Sequence, residues 1–90
     1  MKKTIITVLG KDKVGIIAKV CVYLSQNNIN ILDIAQTIVD GYFNMMMVVD
    51  IADASKDQTR INEELGDLGK EIGVQIRAQS EEIFNMMHRL

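Results

Sequence analysis

The chain has 90 residues, a formal net charge of −2 and an isoelectric point near 5.2, which suit one small domain. With four aromatic residues and no concentrated basic stripe, the composition argues against direct nucleic-acid binding. The single cysteine, Cys21, excludes an internal disulfide and a CxxC metal or redox site.

The first predicted element is a strand over residues 2–9, where β-branched residues alternate up to Gly10. The two lysines and the apolar run at this end resemble the start of a signal peptide. The run stops at Leu9, however, which is too short for a secretory segment or a membrane span. We therefore expect a cytoplasmic protein that does not enter a membrane.

A helix is predicted next, because Ile17, Val20, Cys21 and Leu24 recur at the spacing of one helical face. It should end near residues 27–28. Asp12 lies where a side chain could cap the first turn. The position of Cys21 on the apolar stripe favours a packed thiol over a nucleophile.

Two strands are predicted over residues 29–39 and 42–51, joined by Asp40-Gly41, a strong signal for a two-residue hairpin turn. Met45, Met46 and Met47 are expected to fill the core and the second face, not to bind a metal. In the third strand the residues expected to share one face are Phe43, Met45, Met47, Val49 and Ile51.

The second half begins with a capping box over residues 55–58 and a helix that ends at Gly73. Gly66 and Gly69 inside this helix each cost ~1 kcal/mol relative to Ala, so its stability depends on packing. Residues 74–79 alternate as a fourth strand. The apolar face of the helix comprises Ile61, Leu65, Leu68 and Ile72.

The last predicted element is a helix over residues 81–90, capped by Ser80. Its apolar residues should pack on the domain or on a neighbouring subunit. His88 is expected to complement the helix dipole rather than to act as a base. The apolar residues of this helix are Ile83, Phe84, Met87 and Leu90.

The order βαββαβ plus a C-terminal helix predicts an α+β, ferredoxin-like sandwich. Four antiparallel strands would carry two helices on one face, with residues 1–79 as the domain and residues 80–90 as the added helix. The second strand is apolar on both faces, which predicts a homo-oligomer, either a dimer or a higher even-numbered assembly. We assign Leu32, Ile34 and Ile38 to one face, and Ile29, Ile31, Ala35 and Val39 to the other.

The segment from Gly10 to Val20, followed by Asn30-Ile31, resembles the ACT domain family. The matching features are Asp12 three residues before Gly15, the apolar pair after that glycine, and Asn-Ile opening the second strand. Within the family, the chain is similar to free-standing bacterial ACT proteins and to the ACT half of the glycine-cleavage-system repressor. The resemblance implies a regulatory module in which two copies pair and an amino acid binds between them.

The resemblance also implies the ligand-binding residues, in the loop of one copy and the second strand of the other. A helix N-terminus suits a ligand carboxylate, Asp12 could accept from a ligand ammonium, and Asn30 can both donate and accept. Three structural alternatives stay open: Asp12 as an N-cap, Gly15 as a close-packing residue, and Asn30 as an edge-strand residue. The implied site comprises Asp12, Lys13, Val14, Gly15, Ile16, Asn30 and Ile31.

No local spacing of residues indicates a catalytic centre, a metal site or a cofactor. The predicted function is therefore non-enzymatic: a module that senses a small amino-acid-like molecule or docks onto a partner enzyme or regulator. The alternative is a structural oligomerisation or adaptor module without a working ligand site. Two departures from the family pattern weaken the ligand site: Val14 stands where ACT sequences often have Pro, and Gly10 stands where some amino-acid-binding members carry a His.

Overall fold

A computed structural model of the chain describes residues 1–88. The strand order is β2-β3-β1-β4 and every adjacent pair is antiparallel, which confirms the ferredoxin-like fold. Arg89 and Leu90, which the sequence analysis includes in the last helix, lie outside the described residues. The elements are β1 (Lys3–Lys11), α1 (Ile16–Gln26), β2 (Asn30–Val39), β3 (Tyr42–Asp50), α2 (Gln58–Ile72), β4 (Gln75–Ser80) and α3 (Glu81–Met87).

The core lies between α1 and α2 and one face of the sheet. Period-2 alternation in β3 turns its predicted inner residues into this layer, and Met45 and Met47 are fully buried there. Leu68 and Ile72 of α2 pack against the core but are only partly buried. The largest buried side chains are Ile6, Val8, Val20, Leu24, Met45, Met47, Val49, Ile61 and Leu65.

The predicted hairpin between β2 and β3 is confirmed. Asp40 and Gly41 have φ angles of 53° and 80°, so both central residues adopt the left-handed conformation of a type I′ turn. This turn sets the register of the two strands, with Val39 opposite Tyr42.

Both predicted N-caps of the long helices are wrong. The cap position of α1 is Gly15, which has no side chain to accept a first-turn amide, and the Asp12 amide instead donates to the Gly41 carbonyl at 2.9 Å. The cap of α2 is Asp57, whose carboxylate accepts from the Arg60 amide at 2.9 Å. Gln58, predicted to close the capping box, instead accepts a hydrogen bond from the buried Thr4 hydroxyl at 2.7 Å.

Strand β2 forms an edge of the sheet and is exposed along its whole length. A β-bulge between Ile31 and Asp33 changes the predicted distribution of its apolar residues. Ile31, Ile34 and Ile38 lie opposite Val49, Met47 and Phe43, so they share the helix-side face of the sheet. The prediction that Ile31 lies on the face opposite Ile34 is therefore wrong.

Helix α3 packs on the other face of the sheet, against β1 and β4. The predicted cap is confirmed, since the Ser80 hydroxyl accepts from the Ile83 amide at 3.3 Å. Phe84 is half-buried, as is Glu81, and the Phe84 ring stacks on that of His88 at 4.1 Å. Ile83 and Met87, predicted to pack, remain more than half exposed in the single chain, because the short helix turns only one side to the sheet.

A polar cluster on Glu64 links α1 to α2. The Tyr23 hydroxyl donates to Glu64 Oε1 at 2.9 Å and Lys56 Nζ donates to the same oxygen at 2.6 Å. Arg60 Nε donates to Glu64 Oε2 at 3.1 Å. The hydrogen bonds from Lys56 and then Tyr23 lower the pKa of Glu64, whereas burial, followed by the hydrogen bond to Glu64, raises the pKa of Tyr23.

We expect this cluster to make stability fall at acidic pH. The folded-state pKa of Glu64 is below its ordinary value of 4.5, so its contribution is present above that pH. It is lost as the pH falls through the lower folded-state value. Thermal melts from pH 7 to pH 3 should therefore show a steeper loss of stability for the wild type than for Glu64→Gln. Glu63→Gln, an exposed neighbour, is the control, and equal slopes in all three proteins would contradict the prediction.

Candidate functional site

The loop between β1 and α1 lies at the end of the sheet that carries the β2–β3 hairpin. The bond from the Asp12 amide to the Gly41 carbonyl ties the loop to that hairpin. On the other side, Lys13 Nζ lies 3.5 Å from the Ile72 carbonyl at the end of α2. The loop is therefore anchored on both sides, with Val14 fully exposed at its tip.

Gly15 gives this loop an open approach to the N-terminus of α1. Its φ angle is 90°, a conformation that side chains strain, and no atom lies within 4 Å of where a Cβ would stand. Gly15 is thus required by the backbone conformation, and the alternative of close helix packing is wrong. The first amides of α1, which begin directly after Gly15, have no side-chain cap.

Ile16 differs from the rest of the predicted loop site. Its side chain is 2% exposed and belongs to the core, so only its backbone amide is available to a ligand. The family resemblance implied Ile16 as a site residue, because it opens the apolar pair after Gly15. In the structure, Ile16 instead anchors the start of α1 on the sheet.

Asn30 and Ile31 lie at the opposite end of the subunit. Strand β2 has ten residues, so its two ends are roughly 30 Å apart at ~3.3 Å per residue. The two halves of the predicted site are therefore not brought together within one chain.

A cleft of about 440 Å³ lies beside Asn30, between the end of α1 and the edge of the sheet. Asp50, opposite Asn30 in the β2–β3 register, accepts hydrogen bonds from the amides of Ala52 at 3.0 Å and Lys2 at 3.1 Å. These bonds lower the pKa of Asp50, which keeps it charged at neutral pH. The lining residues are Cys21, Leu24, Ser25, Asn28, Ile29, Asn30, Ile31, Asp50 and Asp53.

Asp50 and Asp53 are polar residues of this end that the sequence analysis missed. Counting residues outward from the Asp40-Gly41 turn would have placed Asp50 opposite Ile31. The bulge in β2 moves the pairing by one residue, so that Asn30 faces Asp50. The hairpin turn, which sets the register near Val39, can be recognised in the sequence. No residue pattern indicates the bulge, which changes that register before Asn30.

Within residues 1–88 no group of three or more His, Cys, Asp or Glu side chains is arranged to hold a metal ion. In the same part of the chain, the helices all fall short of the length and apolar character needed to cross a bilayer.

Comparisons with known proteins agree with the fold. The ACT domain sequence profile matches residues 2–79. A UPF0237 protein of Bifidobacterium longum is 64% identical over the full length of both chains. An ACT domain protein from Streptococcus pneumoniae has 44% identity and a TM-score of 0.81, over 92% of this chain and 93% of that one.

A more distant structural neighbour is a chain assigned as a glycine cleavage system transcriptional repressor. It is 22% identical with a TM-score of 0.75, over 88% of this chain and 45% of the other, which shows a shared fold. The profile match over residues 2–79 and the full-length relative agree with the resemblance to the ACT domain family. The chain belongs to the ACT domain family, whose members are generally regulatory ligand-binding modules.

Proposed function

We propose that this chain is a non-catalytic regulatory module that binds an amino-acid-like ligand between two copies of itself. The observation that carries the proposal is the unpaired edge strand β2, with the Gly15 loop near one end and Asn30 at the other. The apolar residues of the N-terminal run lie in strand β1 of the folded sheet. This role of the run favours a cytoplasmic module over a secreted one.

Pairing of two β2 edges explains how a divided site becomes complete. Edge strands offer unpaired backbone groups to another strand, and a two-fold axis makes the pair antiparallel. Antiparallel pairing sets the Asn30 end of one copy beside the Val39 end of the other. Val39 adjoins the hairpin whose Gly41 carbonyl holds the Asp12 amide, so Asn30 would approach the partner's loop.

The two ends also have complementary chemistry for an amino acid. The uncapped N-terminus of α1 offers amides and a positive partial charge to a carboxylate, and Gly15 leaves room for its approach. Asn30 and the charged Asp50 of the other copy supply acceptors for an ammonium group. A zwitterionic ligand would therefore satisfy both copies at once.

A thermal-shift screen against the twenty amino acids tests this function. A ligand at 100 times its Kd should stabilise the fold by ~2.7 kcal/mol. Asn30→Ala should abolish the shift without changing the melting temperature of the free protein, because Asn30 is exposed. Thr37→Ala, exposed in the same strand but two residues inside its Val39 end, should retain the shift.

The control defines the outcome that would contradict the assignment. If Asn30→Ala unfolds the protein, Asn30 is a structural residue and not a ligand contact. If Asn30→Ala keeps the full shift, the ligand binds elsewhere.

The second candidate function is an oligomerisation or adaptor module that docks onto a partner enzyme or regulator without a ligand. The contact between Lys13 Nζ and the Ile72 carbonyl favours it, because that contact engages the loop's ammonium group at the end of α2. A screen with no shift for any amino acid, in a protein that still associates, would support this candidate.

A further inference from the structure

The sheet face opposite α1 and α2, here called the open face, is covered over only part of its area. Helix α3 packs against β1 and β4 and covers the part around Ile5, which is buried. Farther along the strands, Leu9 and Met46 remain 50% and 43% exposed. The uncovered half contains a depression of about 230 Å³ lined by Thr7, Leu9, Asn44, Gln75 and Arg77.

Helix α3 carries a second apolar surface, which its own sheet contacts only at Met87, whose sulfur accepts a hydrogen bond from the Gln79 side chain at 3.2 Å. Ile83, Met86 and Met87 follow the i, i+3, i+4 spacing of one helical stripe, and their exposed fractions are 52%, 73% and 59%. A helix of seven residues is too short to be stable in water without packing. The molecule therefore presents, on the same side, an apolar ridge and a depression in which Leu9 is the apolar residue of an otherwise polar lining.

We propose that a second copy of the chain covers this side, with α3 of each copy lying on the uncovered half of the other copy's open face. A two-fold axis in the plane of the interface, perpendicular to the strands, brings the two open faces together and reverses the strand direction. The ridge of each copy then meets the depression of the other copy, so the same contact forms at two symmetric positions. An isologous contact requires this kind of self-complementary surface.

The charges on this side have the same complementarity. Arg77 lies in the depression and forms no ion pair with the described residues. Glu82, in the first turn of α3, is exposed, lies four residues before Met86, and is likewise unpaired within residues 1–88. In the proposed contact the α3 ridge of each copy lies over the depression of the other copy. Glu82 of each copy therefore approaches Arg77 of the other copy.

The size of the depression suits a side chain from α3. Cavities of ~150 Å³ hold a benzene ring, so about 230 Å³ has room for the side chain of Met86. This contact lies on a sheet face, whereas the pairing in the proposed function uses the β2 edge. The two contacts are independent, and together they build a tetramer.

A charge exchange tests the contact. Arg77→Glu and Glu82→Arg should each halve the mass measured by light scattering at micromolar concentration, because like charges then meet at two symmetric positions. The double variant should restore the wild-type mass. Lys19→Glu, the same charge change at an exposed position on α1, is the control and should keep the wild-type mass.

Two outcomes would overturn the proposal. If both single variants keep the wild-type mass, the open face is left free or docks a different protein. If the double variant stays at half mass, Arg77 and Glu82 do not meet across the contact. Circular dichroism of each variant verifies folding, and a ligand shift retained by the half-mass variants separates this contact from the β2 site.

Discussion

Gly69→Ala is expected to lower the free energy of unfolding by a net ~1 kcal/mol. A Cβ at this position would stand 2.7 Å from the Val74 carbonyl oxygen and 3.1 Å from both the amide nitrogen and Cγ1 of Ile76. Two of these neighbours are backbone atoms of the turn and of β4, which cannot move without disturbing the sheet. Overpacking of this kind costs ~1–3 kcal/mol and outweighs the ~1 kcal/mol that Ala gains in helix propensity.

Gly66 provides a matched control in the same helix. A Cβ there meets no atom within 4 Å, so Gly66→Ala should stabilise the protein by up to ~1 kcal/mol. Each kcal/mol moves the melting temperature of a domain this small by roughly 4–8 °C, so the two variants should shift in opposite directions. A stabilised Gly69→Ala variant would show that β4 yields to the added methyl group.

The order of elements could be predicted from the sequence because it depends on hydrophobic periodicity and on turn residues. The alternation in β3 and the Asp40-Gly41 pair each act locally, and the structure follows them. The N-caps failed because several residues compete for each cap. The Asp12 amide donates to the Gly41 carbonyl of the hairpin, and Asp12 does not cap α1. The residue that caps α2 is Asp57, two residues after Ser55.

The tertiary details were outside the reach of sequence patterns. The bulge in β2 carries no Gly or other mark in the sequence, although it decides which residues share a face. Glycines in one helix look alike in the sequence, yet only Gly69 packs against the turn before β4. These features depend on contacts between elements that are distant along the chain.

The candidate site was predictable only as two separate motifs. The loop motif and the Asn30-Ile31 motif are local, so the family resemblance finds both. Their separation by the length of β2 appears only in the fold, and so does the pairing of Asn30 with Asp50. In the function that we propose, the site therefore requires a second chain that pairs along the edge of β2.

Gln36→Pro is expected to halve the mass of the assembly while each subunit stays folded. The Ile34 amide donates to its neighbour Asp33 at 2.9 Å, so Ile34 directs its amide away from β3. Because hydrogen bonding alternates along an antiparallel strand, the amide of Gln36 also points to the free edge. Proline there removes a donor that only a second β2 strand could use, and edge strands tolerate proline.

Two variants separate this effect from general damage to β2. Gln36→Ala keeps the amide and should keep the wild-type mass, whereas Thr37→Pro removes an amide that faces β3 and should destabilise the subunit itself. Gln36→Pro should also lose any amino-acid thermal shift, because the Gly15 loop and Asn30 then belong to copies that no longer meet along β2. If Gln36→Pro keeps its mass, the copies do not pair through this edge. If it loses mass but keeps the ligand shift, the two ends of β2 are not halves of one site.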